Sequence, residues 1–164
     1  MSTVAQRLLS DRFDWPGMLP GEIVVWRAWM RVHLKEYDRF EANVRLGKGE
    51  DPGPTFPQKD RDMWIANTQL RADAIGWQGT TPTIFEVKDD AQPGAPGQIA
   101  AYRTEWMAEG RSAERPKAVI VCRTFSPNIV RTCAEQDISI AQVSVTPDEM
   151  RIALGLQRFG GRTK

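Results

Sequence analysis

Apolar residues along the chain follow two spacings, one typical of helices and the other typical of strands. The segment "EIVVWRAWMRVHL" follows the helical spacing. Glu22 near its start suits a helix N-terminus, because a negative charge there meets the positive end of the helix dipole. This pattern predicts a helix from about Glu22 to Lys35. The segment "YDRFEANVRL" alternates apolar and polar residues and predicts a strand.

A hairpin is predicted between Gln69 and Lys88. Its strands are "LRADAIGW" and "PTIFEVK", and "QGTTP" forms the turn between them. Side chains two positions apart in a strand share one face of the sheet. Glu86 and Lys88 are therefore expected on one face, and Val87 on the opposite face, in the core.

The second half of the chain alternates helices and strands. A helix is predicted over "QIAAYRTEWMAEG", with Gly110 as its C-terminal cap, and another from a Ser126 cap to about Gln136. The runs "KAVIVCRT" and "ISIAQVSV" are predicted strands, the first buried on both faces. The order of helix, three strands, helix, strand, helix and strand predicts an α/β fold with a mixed central sheet flanked by helices on both faces.

Clusters rich in glycine and proline divide the chain into one domain with an arm and a tail. We expect an N-terminal arm over 1–20, a domain over 21–146 with an insert at about 47–62, and a basic tail over 147–164. The cluster "DDAQPGAPG" is expected to form a loop at the rim of the site. The last fourteen residues carry four basic and no acidic side chains, so the tail could hold a phosphate backbone or dock on a protein partner.

Composition narrows the function classes. The chain has 164 residues and a net charge of +1, so a nucleic-acid site must be a local patch and not a globally basic surface. The longest apolar runs are far shorter than the roughly 20 residues of a membrane span, and Cys122 and Cys133 lack the spacing of a zinc site. We expect a cytoplasmic protein with buried, reduced thiols and no membrane partner; a virion-associated location is the alternative for a chain of phage origin.

Two carboxylates and an ammonium group in the hairpin are the candidate chemistry. Asp73 and Glu86 lie on its paired strands, where their oxygens could converge on one divalent cation, and the Val87 carbonyl could add a ligand. Lys88 could orient or help deprotonate an attacking water and offset negative charge on a transition-state phosphorane. A simple ion pair between Asp73 and Lys88 on a solvated sheet face is the non-catalytic alternative.

The hairpin and the elements around it resemble the PD-(D/E)XK nuclease superfamily. The resemblance covers residues 20 to 145 and rests on Asp73, the triplet "EVK" at 86–88 and the order αβββαβ of a restriction-endonuclease-like core. The next helix begins with Gln98 and has Tyr102 four residues later, as in the Q-x-x-x-Y motif of RecB-like members. Glu22 corresponds to a glutamate that many members carry in their first core helix.

This resemblance implies a deoxyribonuclease that uses one or two Mg²⁺ or Mn²⁺ ions. The implied catalytic residues are Asp73, Glu86, Lys88 and Gln98, and the implied metal ligands are Glu22, Asp73, Glu86 and Val87. Gln98 and Tyr102 are expected to contact the substrate. Ala72 stands where the proline of the superfamily's name would be, a departure common among its members.

Further substrate contacts are expected from a basic stripe. Arg27 and Arg31 recur four residues apart, and Lys35 and Arg39 would continue the stripe if the first helix runs that far. A solvated helix face is the alternative meaning of this spacing. Trp77 near the hairpin turn is open to three interpretations: base stacking, a protein interface and core packing.

The implied activity is structure- or end-directed cleavage of DNA in recombination, repair or phage DNA processing. Two other classes stay open. One is a non-enzymatic DNA-binding or assembly module, for instance in a phage particle, that retains the nuclease fold. The other is an unrelated α/β domain with a chance E-x-K. Neither a homodimer nor assembly with phage or recombination proteins is decided by the sequence.

Overall fold

The fold is built on one five-stranded sheet, in a computed structural model that describes residues 15–156. Its strands are β1 (Arg39–Leu46), β2 (Leu70–Gln78), β3 (Thr81–Ala91), β4 (Lys117–Phe125) and β5 (Ser139–Gln142). They lie in the order β1-β2-β3-β4-β5. The first three pair antiparallel, whereas β3, β4 and β5 pair parallel. The predicted mixed sheet is confirmed.

Helices connect and flank the strands. They are α1 (Pro20–His33), α2 (Gln58–Thr68), α3 (Gly94–Ala108), α4 (Ile129–Glu135) and α5 (Pro147–Ala153), and a 3₁₀ turn over Leu34–Glu36 follows α1. The elements α1, β1, β2, β3, α3 and β4 reproduce the predicted order αβββαβ. The predicted α/β fold with a restriction-endonuclease-like core is thereby confirmed.

Two apolar cores, one on each face of the sheet, hold the helices in place. On one face, α1 packs an aromatic cluster against β3, with Trp26, Trp29 and Phe85 at its centre. On the other face, Ile99 and Trp106 of α3 pack with the aliphatic residues of β2, β3 and β4. Helices therefore cover both faces, as the sequence predicts.

The glycine- and proline-rich segment after the hairpin is not the predicted loop. Residues 89–91 extend β3, and α3 already begins at Gly94, four residues before the predicted start. Proline is tolerated in the first turn of a helix, because the N–H groups there have no partner within the helix. Pro96 and its flanking glycines therefore fit inside α3.

Helices α2 and α5 are absent from the sequence prediction. None of the α2 residues is buried, so its sequence has no apolar stripe that would predict a helix. The helix begins within the segment predicted as an insert at about 47–62 and leads from it to β2. Helix α5 occupies the start of the predicted basic tail, where Thr146 and Glu149 cap it reciprocally at 2.9 and 3.2 Å. The rest of the tail, from 157 to 164, and residues 1–14 of the predicted arm lie outside the described residues.

The structure bears on two features that the composition raises, the cysteines and the apolar segments. Cys122 and Cys133 are buried free thiols. Between residues 15 and 156, no helix is long and apolar enough to cross a membrane.

Candidate active site

The hairpin strands separate at the point where the candidate residues lie. Backbone pairing between β2 and β3 runs from Gln78 and Thr81 to Ala74 and Phe85. One position further on, the Oδ2 atom of Asp73 accepts a hydrogen bond from the Val87 N–H at 2.7 Å. A side-chain carboxylate thus takes the place of a backbone acceptor, which fixes Asp73 beside β3.

The other neighbour of β2 is irregular at the same level. The register with β1 passes from Ala42 opposite Ala74 to Val44 opposite Ala72, and Asn43 between them has a φ of 52°. Asparagine tolerates this left-handed conformation better than most residues. The distortion therefore lies directly across the strand pair from Asp73.

Glu86 lies at the centre of the site. Its side chain is almost fully buried at 1% exposure, and its Oε1 atom lies 2.6 Å from Lys88 Nζ. Its second oxygen, Oε2, is buried and has no hydrogen-bond partner in the part of the chain that the structure describes. A buried carboxylate oxygen without a donor is costly, so this oxygen marks a place where a ligand would be stabilised.

Glu22 joins the site from α1 and has two roles. As the third residue of the helix, it accepts the Leu19 N–H through Oε2 at 2.8 Å. Its Oε1 atom lies 3.6 Å from Lys88 Nζ. Helix capping and a place in the site are therefore compatible for this residue.

Burial and mutual repulsion disfavour the charged carboxylates. Burial first, and then the Glu86 charge, raise the pKa of Asp73 to about 7. Burial likewise raises the pKa of Glu86, although Lys88 and the Tyr102 hydroxyl favour its charged form. Asp73 and Glu86 are therefore each easier to protonate than an ordinary carboxylate, and a bound cation would favour loss of the proton.

Lys88 and Tyr102 keep their protons. Burial acts against the Lys88 charge, but Glu86 and then Glu22 outweigh it, so the pKa of Lys88 is raised. Burial, followed by the charges of Glu86 and Asp73, raises the pKa of Tyr102. At neutral pH the site thus contains an ammonium group and a phenolic O–H next to carboxylates.

The site contains carboxylate oxygens, which are the kind of donor that a hard divalent cation prefers. Within residues 15–156, no group of three or more Cys, His, Asp or Glu side chains surrounds one metal position. The unpartnered oxygen of Glu86 and the Asp73 carboxylate can still serve together, with waters filling the remaining positions, as is usual for Mg²⁺. A metal role for Glu22 and for the Val87 carbonyl stays a prediction.

Comparisons with known proteins give no family for this chain. No family model and no curated protein matches it. A repair endonuclease from Pyrococcus abyssi is similar in structure, with 12% identity over 63% of this chain and 39% of that chain, and a TM-score of 0.41. The protein VC1899 from Vibrio cholerae is similar with 13% identity over 80% of this chain and 30% of its own, and a TM-score of 0.48. The chain thus spans well under half of either protein, and neither similarity informs its chemistry.

The two residues of the Q-x-x-x-Y motif have different surroundings. Tyr102 is 5% exposed and acts on Glu86, so the structure brings it into the site. Gln98 is exposed, one turn earlier on α3. Its roles in catalysis and substrate binding stay predictions.

The predicted four-residue basic stripe does not form. Helix α1 ends at His33, so Arg39 lies in β1, where its guanidinium covers the Trp77 ring at 4.3 Å. Arg31 is exposed and pairs with Glu149 of α5 at 3.1 Å, and Arg27 lies half-buried one turn before it. Contact of Arg27 and Arg31 with a substrate stays a prediction.

Two residues near Asp73 were not predicted from the sequence: Asn43, which lies across from Asp73 in the β1–β2 register, and Gly17, which lies against Asn43. Gly17 has a φ of 94°, and a Cβ atom there would lie 2.8 Å from the Asn43 side-chain oxygen. An asparagine inside an otherwise alternating strand is the one available signal, since asparagine is enriched at positive φ. The contact with Gly17 leaves no trace in the sequence.

Proposed function

We propose that this chain is a Mg²⁺- or Mn²⁺-dependent deoxyribonuclease that hydrolyses phosphodiester bonds in DNA. The single observation that carries the proposal is Glu86, a buried carboxylate with one oxygen on Lys88 and the other unpartnered. An ion pair between Glu86 and Lys88 that served only stability would not need a second carboxylate nearby. Asp73 is nevertheless held beside this pair by the Val87 N–H. The resemblance to the PD-(D/E)XK superfamily assigns the same residues.

Asp73 and Glu86 would hold the cation. When bound, such an ion supplies positive charge to a phosphate oxygen and lowers the pKa of a water molecule. Lys88, protonated and held by Glu86 and Glu22, orients the attacking water and stabilises the negative charge that develops on the phosphate. Because its pKa is raised, Lys88 acts as a cation and not as a general base.

Tyr102 would act as a hydrogen-bond donor to Glu86. Its pKa is raised by burial and by the carboxylates, so the hydroxyl remains protonated and favours the charged form of Glu86. This keeps a negative oxygen available to a cation. Gln98, exposed on the same helix, would contact the phosphate backbone of the substrate.

DNA shape or DNA ends would select the substrate. In the part of the chain described, all helices belong to the sheet fold or its insert, and a separate base-reading element is therefore not expected. Recombination, repair or phage DNA processing is the setting that fits such an enzyme. Homodimerisation and assembly with other proteins remain predictions.

The test is cleavage of linear, circular and branched DNA with Mg²⁺ or Mn²⁺. Asp73→Asn and Lys88→Ala should each lower kcat/KM at least about 100-fold, and EDTA should abolish cleavage by the wild type. Asp137→Asn is the matched control, because Asp137 is highly exposed, 90% for its side chain, and its positive φ suits asparagine. Equal activity in all variants would refute the mechanism. Tight DNA binding without cleavage under either metal would favour the binding-module alternative.

A further inference from the structure

Two arginines face each other across the first two strands of the sheet. Arg45 of β1 and Arg71 of β2 are direct partners in the antiparallel register, so their side chains leave the sheet on the same face, with Cβ atoms about 5 Å apart. Leu46 and Ala72, the next residues along the two strands, are buried in the core on the α3 side. The two guanidinium groups therefore project from the opposite face, on which α1 lies.

The two positive charges are not balanced by the described part of the chain. Like charges directly opposite each other in a sheet are destabilising. Within residues 15–156, neither guanidinium pairs with a carboxylate, and the exposed Arg45 side chain has no hydrogen-bond partner. Arg71 donates only through Nη2, at a long 3.4 Å both to the Ala66 carbonyl and to Asn67 Oδ1.

The contact of Arg71 with α2 explains only half of the pair. Ala66 and Asn67 lie in the last turn of α2, where a positive charge stabilises the negative end of the helix dipole. Arg71 therefore has a structural reason to be basic. The Arg45 side chain makes no such hydrogen bond to the described residues, so the dipole does not account for the second positive charge.

The arginine pair lies beside the candidate active site. Arg71 precedes Asp73 by two residues on β2, about 7 Å along the strand. Helix α1 packs mainly against β3 and β4, and Arg45 remains exposed beside it. Glu22 reaches the site from the same face, because it belongs to α1 and its Oε1 atom lies 3.6 Å from Lys88 Nζ. The pair and one side of the site therefore share a face of the sheet.

A phosphodiester group matches the chemistry of this pair. Each guanidinium is a flat fork of N–H donors that can bind two oxygens of one phosphate. A negative charge between the two positive charges replaces their repulsion with attraction. A DNA strand carries a phosphate about every 3.4 Å of helix axis, so a separation of about 7 Å corresponds to about two nucleotides.

We propose that Arg45 and Arg71 together bind one backbone phosphate of the DNA substrate, about two nucleotides from the cleaved bond. This inference rests on the proposed function and adds a subsite that positions the strand beside the metal-binding carboxylates. Because the bound phosphate does not react, the pair stabilises the substrate and its transition state equally. Replacing the pair should therefore raise KM and leave kcat nearly unchanged.

The first measurement is the salt dependence of DNA binding in the Asp73→Asn background with EDTA. Arg45→Ala with Arg71→Ala should raise the Kd for a short duplex about 10- to 100-fold and reduce the slope of log Kd against log salt by about 0.9, the value of one phosphate contact. Lysine at both positions should keep the slope but recover only part of the affinity, because lysine lacks the fork. Arg115→Ala with Arg131→Ala is the matched control, since it removes the same charge from side chains that are 58% and 90% exposed.

The second measurement locates the bound phosphate. A neutral methylphosphonate linkage is placed in turn at each position around the cleaved bond, and the Kd is measured in the same background. With both arginines present, one position should weaken binding most. With both replaced by alanine, that linkage should have little further effect, because the two changes remove one interaction. Absence of such coupling at every position would overturn the inference, even where the wild type cleaves DNA.

Other outcomes separate this inference from the proposed function. If the wild type binds DNA but cleaves none, the proposed function fails, and coupling at one linkage still supports the arginine subsite. If the arginine variants bind DNA normally while a dimer becomes a monomer, the pair binds a second chain and the inference is wrong. Arg45→Ala should not lower the denaturant midpoint, since it relieves repulsion between like charges. A lower midpoint would show that the pair stabilises the fold, against the inference.

Discussion

The two ends of the β2–β3 hairpin use the same pair of strands for opposite purposes. Toward the turn, from Gln78 and Thr81 to Ala74 and Phe85, the strands pair residue by residue. Beyond Phe85 the side chains of Asp73, Glu86 and Lys88 come together, with a buried oxygen unpartnered within the described chain. The turn end stabilises the fold. The other end contains buried charged groups that lower stability, as is expected of a binding site.

Two adjacent residues show this contrast most clearly. Phe85 is fully buried, with its ring centroid 5.1 Å from Trp26 and 4.7 Å from Trp29. Glu86, the next residue, lies on the opposite face of the sheet and is buried to the same degree. Burial of the Phe85 ring stabilises the fold, whereas burial of the Glu86 carboxylate destabilises it.

The largest effect on stability is expected at the paired end. Phe85→Ala should lower the free energy of unfolding by about 3–5 kcal/mol, because it removes the ring that contacts both tryptophans and leaves a cavity. Denaturant unfolding monitored by tryptophan fluorescence measures this. Phe56→Ala is the control: its ring is 48% exposed, so its effect should stay within about 0.5 kcal/mol. A loss below about 1 kcal/mol for Phe85→Ala would show that the aromatic core adapts to the cavity.

The paired end of the hairpin was predictable because its signals are local. The alternation of apolar and polar residues predicts both strands. It also predicts that Val87 lies in the core, on the face opposite Glu86 and Lys88, as the structure shows. Periodicity likewise gave the helices that bury an apolar face, α1 and α3. Helix α2 was missed for the same reason, since a helix without buried residues has no such pattern.

The geometry of the open end was only partly predictable. Residue types and spacing pointed to Asp73, Glu86 and Lys88, but the hydrogen bond from Val87 to Asp73 depends on where the strand pairing stops. The Gly17 contact with Asn43 joins segments far apart in the chain. The raised pKa of Asp73 follows from burial and from Glu86, and burial is a property of the assembled fold.

A smaller effect, of opposite sign, is expected at the open end. Folding raises the pKa of Asp73 from 3.8 to about 7, so in this pH range the folded protein holds a proton that the unfolded chain has released. The stability from that proton is present below about pH 4 and is lost as the pH rises through 7. Asp73→Asn cannot ionise and can still accept the Val87 N–H, so at pH 8 without metal it should be roughly 1–3 kcal/mol more stable than the wild type.

Denaturant unfolding from pH 4 to pH 8 checks this sign. Most of the advantage of Asp73→Asn should be lost by pH 4, because the folded wild-type carboxyl is then protonated and the unfolded one, with a pKa of 3.8, is only partly ionised. Added Mg²⁺ or Mn²⁺ should stabilise the wild type at pH 8 and reduce the difference, because binding favours the ionised carboxylate. A variant less stable than the wild type at pH 8 would show that the Asp73 charge is already compensated in the fold.

The smallest effect is expected for Trp77, near the turn. Its Nε1 donates to Glu41 Oε1 at 2.7 Å, and its ring contacts both the Arg39 guanidinium and the Trp106 ring. Trp77→Phe keeps much of the ring packing but loses the hydrogen bond, so the free energy of unfolding should fall by about 1 kcal/mol. Glu41→Ala should cost a similar amount, and the double variant should cost less than the sum of the two because both remove one interaction. Trp77→Phe should leave kcat/KM for DNA cleavage unchanged. If it lowers kcat/KM as strongly as Lys88→Ala is expected to, the turn end of the hairpin takes part in catalysis, and the separation of its two ends into scaffold and site is wrong.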